Sequence, residues 1–500
     1  MKRVLFWLVL IAPLAALAED AAAIRYAKGG NDYLNVQQYR QAIVEFRRAL
    51  VLEPKSPEYL CGLGSAQLGA QQASDAEASF KKALSLDQKF AKAHVGLGNI
   101  YAEQKKYDAA AISFARALEL DSDVAEANYR LGNLYLEQGN LPKAEEYLKR
   151  AAHQTPTRTD IWISLGQLEW KRGAKRDAVR SYERALEKNP ELAVAHRRIG
   201  EVDLAEKDYG EAEKHLAEAL KKEANRADTN YMMAATLFRQ GKTDDARPYM
   251  EKSLNLDSAP ADSWKLASQI YAAKGQKIKA ENASTEYARR RPSDPEGQLT
   301  LGSLTLERGD LKSAETPLRR AVALDPKNAD AHYRLGLLNL RQNDLVTAIR
   351  ELEQATELNS KLTDAHLALG KAYTLRKSYP LAEKSLERAI DLDDARRDGH
   401  VQLAKLQMMQ KKWKNAIPEL RWITKNDPKD LDAWCDLGRA NGETERYTDA
   451  AEAFGRAAAL APDDADVRFQ AGDAYFKADR LDDAISRLET TVGMQSNYPK

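Results

Sequence analysis

Five hundred residues exceed the ~250 to 300 at which a single hydrophobic core stops growing, so several domains or a quasi-one-dimensional array are expected. With 30% charged and 43% apolar residues, the chain is neither disordered nor embedded in a membrane. Lys plus Arg number 76 and Asp plus Glu 75, a balance that gives no electrostatic reason for a nucleic acid or an anionic membrane as partner.

The N-terminus reads Lys2-Arg3, then an apolar run from Val4 to Leu17, then Ala16-Leu17-Ala18 before Glu19. A charged start, a short greasy middle and a small-residue site spell a secretory signal peptide over residues 1–18, cleaved after Ala18. The run is shorter than the ~20 residues a bilayer core requires, which argues against an uncleaved anchor. No Cys follows the leader for lipid attachment, and no later stretch is long enough for an integral membrane span. The mature chain is therefore expected to be exported, and soluble in the periplasm or outside the cell. Cys61 and Cys435 lie 374 residues apart; in an extended array they cannot meet, and both read as small apolar residues.

After a short segment at 19–22, one period organises the chain. Blocks of 34 residues from Ala23 run fourteen times to Tyr498 without an insertion or deletion, leaving a tail at 499–500. Position 20 of the block is alanine every time, from Ala42 and Ala76 through to Ala450 and Ala484. Position 8 is Gly in eleven blocks and Ala234, Ser268 or Ala404 in the others, while position 24 is large and apolar everywhere except Ser284. Small against large is how two helices interlock.

Within a block, positions 4, 7, 8 and 11 share one helix face, and positions 20, 24, 27 and 28 share another. Each block is thus predicted to be a helical hairpin. Position 15 (Gly139, Gly173, Gly241, Gly275, Gly309, Asn343) ends the first helix, A. Pro142 and Pro380 fall in the first turn of the second helix, B, and Pro at position 32 in seven blocks places the end of B near there. Acidic residues at position 2 in eleven blocks complement the N-terminus of helix A. Blocks 7 and 8, residues 227–294, depart most from the pattern and form a candidate softer joint. Pro248, Pro317 and Pro418 fall inside helix B and are expected to kink it.

Chemistry-bearing constellations do not stand out. His94, His196, His332, His366 and His400 all occupy position 4, but equal positions of successive hairpins lie roughly 20 Å apart, too far to share a metal ion. Trp162, Trp264 and Trp434 take the same position, which points to packing. No phosphate-binding loop, zinc-protease helix, nucleophile elbow or CxxC pair occurs. Arg289-Arg290-Arg291 reads as a solvated helix C-terminus. No catalytic residue, cofactor or metal site is expected, and the chain is not read as an enzyme.

The spacing resembles the tetratricopeptide-repeat (TPR) pattern column by column, most plainly in Ala125 to Arg158 and Leu431 to Asp464. The resemblance covers residues 23–498 and implies an all-α, right-handed superhelical solenoid of fourteen 34-residue helix-turn-helix repeats. It further implies that helix A lines a concave groove, with positions 2, 5, 9, 12 and 13 facing inward. Position 5 then contributes Tyr129, Ile163, Tyr231, Tyr333 and Phe469, and position 9 contributes Asn99, Asn133 and Gln167. Position 12 contributes Leu136, Trp170, Leu204, Phe238, Leu306, Leu340, Met408 and Phe476. Apolar anchors beside amides suit a polypeptide segment, so the expected partners are other proteins or peptides.

The carboxylate clamp of chaperone-binding members is missing: only Lys265 fits its first place, and Gln269, Thr300 and Asp330 follow. A regular asparagine ladder of the kind in the O-GlcNAc transferase repeat arm is missing too. The expected function is a non-catalytic interaction scaffold, as in an envelope assembly, pilus or polysaccharide-export complex. The competing expectation is a self-associating protomer, a homo-oligomer formed through an uncapped C-terminal repeat.

Overall fold

The computed structural model describes residues 20–495; the expected signal peptide and the tail at 499–500 lie outside them. Among the described residues there are 28 helices and no strand. Helix A occupies positions 1–13 of a block, as in Ala125–Glu137 and Thr159–Lys171. Helix B occupies positions 17–30, as in Leu141–Gln154 and Lys175–Lys188. It therefore stops two residues before the expected position 32, whose prolines sit in the turn between repeats.

The turn inside each hairpin has one conformation throughout. Position 15 takes a positive φ in every block, from Gln37 and Gln71 to Glu445 and Asp479. Five of these residues are Gly, including Gly309 at +91°, and the others carry side chains, including Lys207 at +67°. A left-handed residue at this place frees the next N–H to close the end of helix A, as Asp208 N does on Asp203 O.

The two helices interlock as the small and large columns predict. A methyl carbon on Gly166 would lie 2.3 Å from the Tyr182 ring, and one on Gly132 2.8 Å from Leu148. Neither fits without displacing the knob across from it. The alanine column is buried in all fourteen blocks, because helix B crosses helix A there with no room for more.

Position 4 does more than pack. Trp162 Nε1 donates to Pro156 O at 2.9 Å, Trp434 Nε1 to Pro428 O at 3.0 Å, and Asn230 Nδ2 to Ala224 O at 2.9 Å. The histidines direct Nε2 at the same carbonyl: His332 meets Pro326 O at 3.1 Å and His400 meets Asp394 O at 2.9 Å. In each case the acceptor is position 32 of the preceding block, so one side chain clasps successive repeats. The other ring nitrogen faces helix B, where His196 meets His215 at 3.0 Å and His332 meets Glu351 at 2.8 Å. Among the described residues no group of three or more His, Cys, Asp or Glu is placed to hold a metal ion.

The chain divides into two compact units, one ending at Pro260 and the other beginning at Ala261. The first holds seven hairpins and the second seven. Within the first, successive A helices touch, as Pro57–Gly69 does with Ala91–Glu103; within the second, Thr363–Leu375 touches Arg397–Met409. The A helices are thus the inner layer of each unit.

The irregular blocks are locally compensated. The last helix of the first unit, Thr243–Leu254, contains Pro248 and is two residues shorter than its counterparts. In block 8 the small-against-large contact is replaced by a buried hydroxyl pair, Ser268 Oγ to Ser284 Oγ at 2.6 Å. Tyr287 stands where most blocks have Ala; its ring fits because Gly297 lies opposite, and its hydroxyl donates to Asp294 Oδ2 at 2.6 Å. Pro317 and Pro418 lie inside Leu311–Leu324 and Trp413–Asn426, which continue past them.

Candidate functional site

In blocks 2 to 14 helix A has thirteen or fourteen residues, and at about 3.6 residues per turn positions 2, 5, 9, 12 and 13 share one face. The structure puts the expected groove residues at unequal depth. In the first unit Asn99, Tyr129, Asn133, Gln167, Trp170, Leu204, Tyr231 and Phe238 are half-buried. Leu136 and Ile163 are 5% and 8% exposed and belong to hydrophobic clusters. In the second unit Tyr333, Leu340 and Met408 are half-buried. Leu306 is 1% exposed and packs with Leu318 and Leu335, whereas Phe469 and Phe476 are 56% and 60% exposed. Leu136, Ile163 and Leu306 therefore spend their apolar surface on the core, and the half-buried aromatics are the ones with surface left to offer.

The acidic column at position 2 joins repeats. Arg158 at the end of block 4 binds Glu126 Oε2 through Nη1 and Asp160 Oδ2 through Nη2, both at 2.6 Å. Its guanidinium also stands 4.8 Å from the centre of the Tyr129 ring. Burial pushes the Asp160 carboxyl up, but the hydrogen bond and charge of Arg158 win and hold it below its ordinary value. Arg396 pairs with Asp364 in the same way in the second unit. The bland reading of these acids as helix-end complements is thus incomplete, because they also bind a cation from a neighbouring loop.

A hollow of about 640 Å³ opens on the inner face of blocks 1 to 4, where the spacing argument named only Asn99 among the lining residues. Phe46, Phe80, Ser65 and Asn99 are among its walls, with Glu58, Lys92 and Glu103 around them. A second hollow of about 380 Å³ adjoins it and shares Asn99 and Glu103, adding Arg130 and Asn133. The sequence signal was the pair Cys61-Gly62 and its repeat Val95-Gly96, two small residues at positions 5 and 6 where later blocks carry Tyr129-Arg130 or Tyr333-Arg334. Cys61 sits in this wall with its thiol pushed up to about 12 by burial, so it is an inert packing group rather than a nucleophile.

No helix among the described residues is long and apolar enough to cross a membrane. No curated protein matches the chain. Solved structures similar to it include one titled functional characterization of Pseudomonas aeruginosa pilF, 20% identical, covering 43% of this chain and 99% of that one with a TM-score of 0.39. The APC/C hetero-tetramer Cut9–Hcn1 is 18% identical, with 98% and 96% covered and a TM-score of 0.38. Yeast Tom70 is 15% identical, with 79% and 97% covered and a TM-score of 0.31. At these values the likenesses carry no argument about function. Two tetratricopeptide-repeat profiles match, one over 27–89, 61–125, 95–159, 163–228, 299–361, 347–397 and 401–465, the other over 203–270 and 443–498. Together with the repeated hairpin and its glycine and alanine columns, these matches make the chain a member of the tetratricopeptide-repeat family.

Proposed function

We infer that the protein is a non-catalytic scaffold that binds polypeptide segments along the inner face of its A helices. The observation that carries this reading is the set of half-buried aromatics Trp170, Tyr231 and Phe238 on the A helices of blocks 5 and 7, in a run of repeats whose A helices also carry the half-buried amides of Asn133 and Gln167. Rigid aromatic anchors give affinity at low entropic cost, and amides bond an extended main chain. The reading includes export, with the leader removed after Ala18, and a place in an envelope assembly, pilus or polysaccharide-export complex. Residues 227–294 act in it as the softer joint.

A photo-crosslinking amino acid at Phe238 tests the groove against one at Val346, an exposed helix B site. Adducts at Phe238 that vanish in the Trp170→Ala, Tyr231→Ala, Phe238→Ala triple variant, with its helical circular dichroism intact, support the groove. Retained capture by that variant removes it. An N-terminal sequence beginning at Glu19 in the exported fraction tests the leader.

The self-association reading rests on the last repeat. Phe469, Phe476, Leu481, Ile485 and Val492 are each more than half exposed, whereas the residues at the same place as Ile485 in earlier blocks, Ile43 and Ile417, are buried. Growth in light scattering with concentration, abolished by Ile485→Glu, is the expected sign. A constant monomer mass at high concentration sinks it.

A further inference from the structure

Blocks 2 and 3 lack the bulk that fills the inner face elsewhere, and this deficit shapes the hollow. A methyl carbon on Gly62 would lie 2.4 Å from the Phe46 ring, and one on Gly96 2.3 Å from Phe80. The two rings therefore slide under the glycines into the core, each 1% exposed, and the hollow left above them is lined by half-buried Leu34, Leu68 and Phe90, with Ser65 and Asn99 as polar wall. The volume is that of a ligand cleft. It is strung across the A helices of successive blocks, however, and runs on at Asn99 into the second hollow. Such a trough fits a chain better than a compact molecule.

Two observations say what that chain carries. Asn99 Oδ1 is buried without a hydrogen-bond partner, at the wall the two hollows share. A small turn of its amide meets a main-chain N–H passing along Asn99 and Asn133, which answers the unmet acceptor. The second observation is charge. Glu126 has both oxygens taken, by Arg130 and Arg158. Among the described residues no ion pair engages Glu58, Glu103 or Lys92, which leaves two carboxylates against one ammonium around the hollow. Burial first, and then the carboxylates of Glu53, Glu58 and Asp20, push the Tyr59 hydroxyl up, a sign of an acidic rim at this end.

We propose that this trough binds an extended polypeptide whose bulky apolar side chain seats against Leu34, Leu68 and Phe90 while an adjacent Lys or Arg reaches Glu58 and Glu103. The proposal rests on the groove reading and narrows it to a place and a chemistry. Its test pans a random dodecapeptide display library on the full chain, then measures a labelled synthetic copy of the most enriched peptide by fluorescence polarisation. Enriched sequences are expected to join a basic residue to an aromatic or long aliphatic one.

Ser65→Trp, which fills the hollow from an exposed position, should weaken that peptide ten-fold or more. Glu58→Gln with Glu103→Gln should weaken it several-fold and flatten its salt dependence. Val346→Ala, on an exposed helix B face, should leave it unchanged, and the Trp170, Tyr231, Phe238 alanine triple is measured beside it. Failure to enrich, enrichment of acidic sequences, or affinity untouched by Ser65→Trp overturns the proposal. If Ser65→Trp spares binding and the triple abolishes it, the groove reading stands and this site falls; if neither matters, both fall.

Discussion

Ser268 and Ser284 occupy the two columns that elsewhere hold a glycine and a large apolar residue, and each hydroxyl is the other's buried partner. Removing one leaves the other unmet, at a cost of about 1 to 2 kcal/mol; removing both nearly restores the balance. Ser268→Ala and Ser284→Ala are therefore expected to lower stability singly, and the double variant to lose less than the sum. Urea denaturation of the four proteins measures the coupling, and strict additivity would contradict it.

Asp203 is a second case where burial sets the chemistry. Burial, helped by Asp208, Glu211 and Glu183, raises its carboxyl to about 6, against ~3.9 in an unfolded chain. The folded state then holds the proton more tightly. Its contribution is complete below the unfolded value and is lost as pH rises through the folded one. Because the group is half-buried, solvent screening reduces the loss to roughly 1 kcal/mol. Asp203→Asn should raise the melting temperature at pH 7.5 and change little near pH 4. Equal shifts at both pH values would assign the effect to shape rather than charge.

At the scale of the element, the hairpin turn and the clasp between repeats differ in how far the sequence announces them. Position 15 is left-handed in all fourteen blocks, and its Gly and Asn residues are the ordinary signal for that conformation. Lys207 takes the same conformation with a side chain. Lys207→Gly should stabilise by a few tenths of a kcal/mol, the local strain relieved outweighing the freedom Gly adds to the unfolded chain, whereas Gly309→Ala should cost about 1 kcal/mol. Thermal melts of the two variants should move in opposite directions.

The clasp was hidden because His, Trp and Asn at one apolar-face position share no hydrophobicity. What they share is an N–H at the right reach, visible only once the preceding loop carbonyl is in place. Trp162→Phe keeps the packing and loses the bond to Pro156 O, so a loss of about 1 kcal/mol is expected. Amide hydrogen exchange should quicken around residues 155–160. Unchanged exchange there would mean that water replaces the bond at no cost.

At the scale of the whole molecule, repeat proteins gain stability from neighbour contacts, so compact units within them can fold separately. Residues 19–260 and 261–500, expressed apart, should each show helical circular dichroism and a cooperative melt. A fragment that stays unfolded would show that the boundary at Pro260 cuts a cooperative unit rather than separating two.

The sequence alone determined the period, the hairpin, the end of helix A and the interlocking columns, because these depend on residues close along one chain and recur fourteen times. It did not determine how deep a groove residue lies. Leu136 and Trp170 hold the same position in adjacent blocks, yet one is core and the other half-exposed. Burial of an inward side chain is set by its neighbours in the next repeat, whose sizes the period leaves free. For the same reason the hollow over Phe46 and Phe80 follows from four small residues in two blocks acting together. Only the tertiary structure brings those two blocks to one wall.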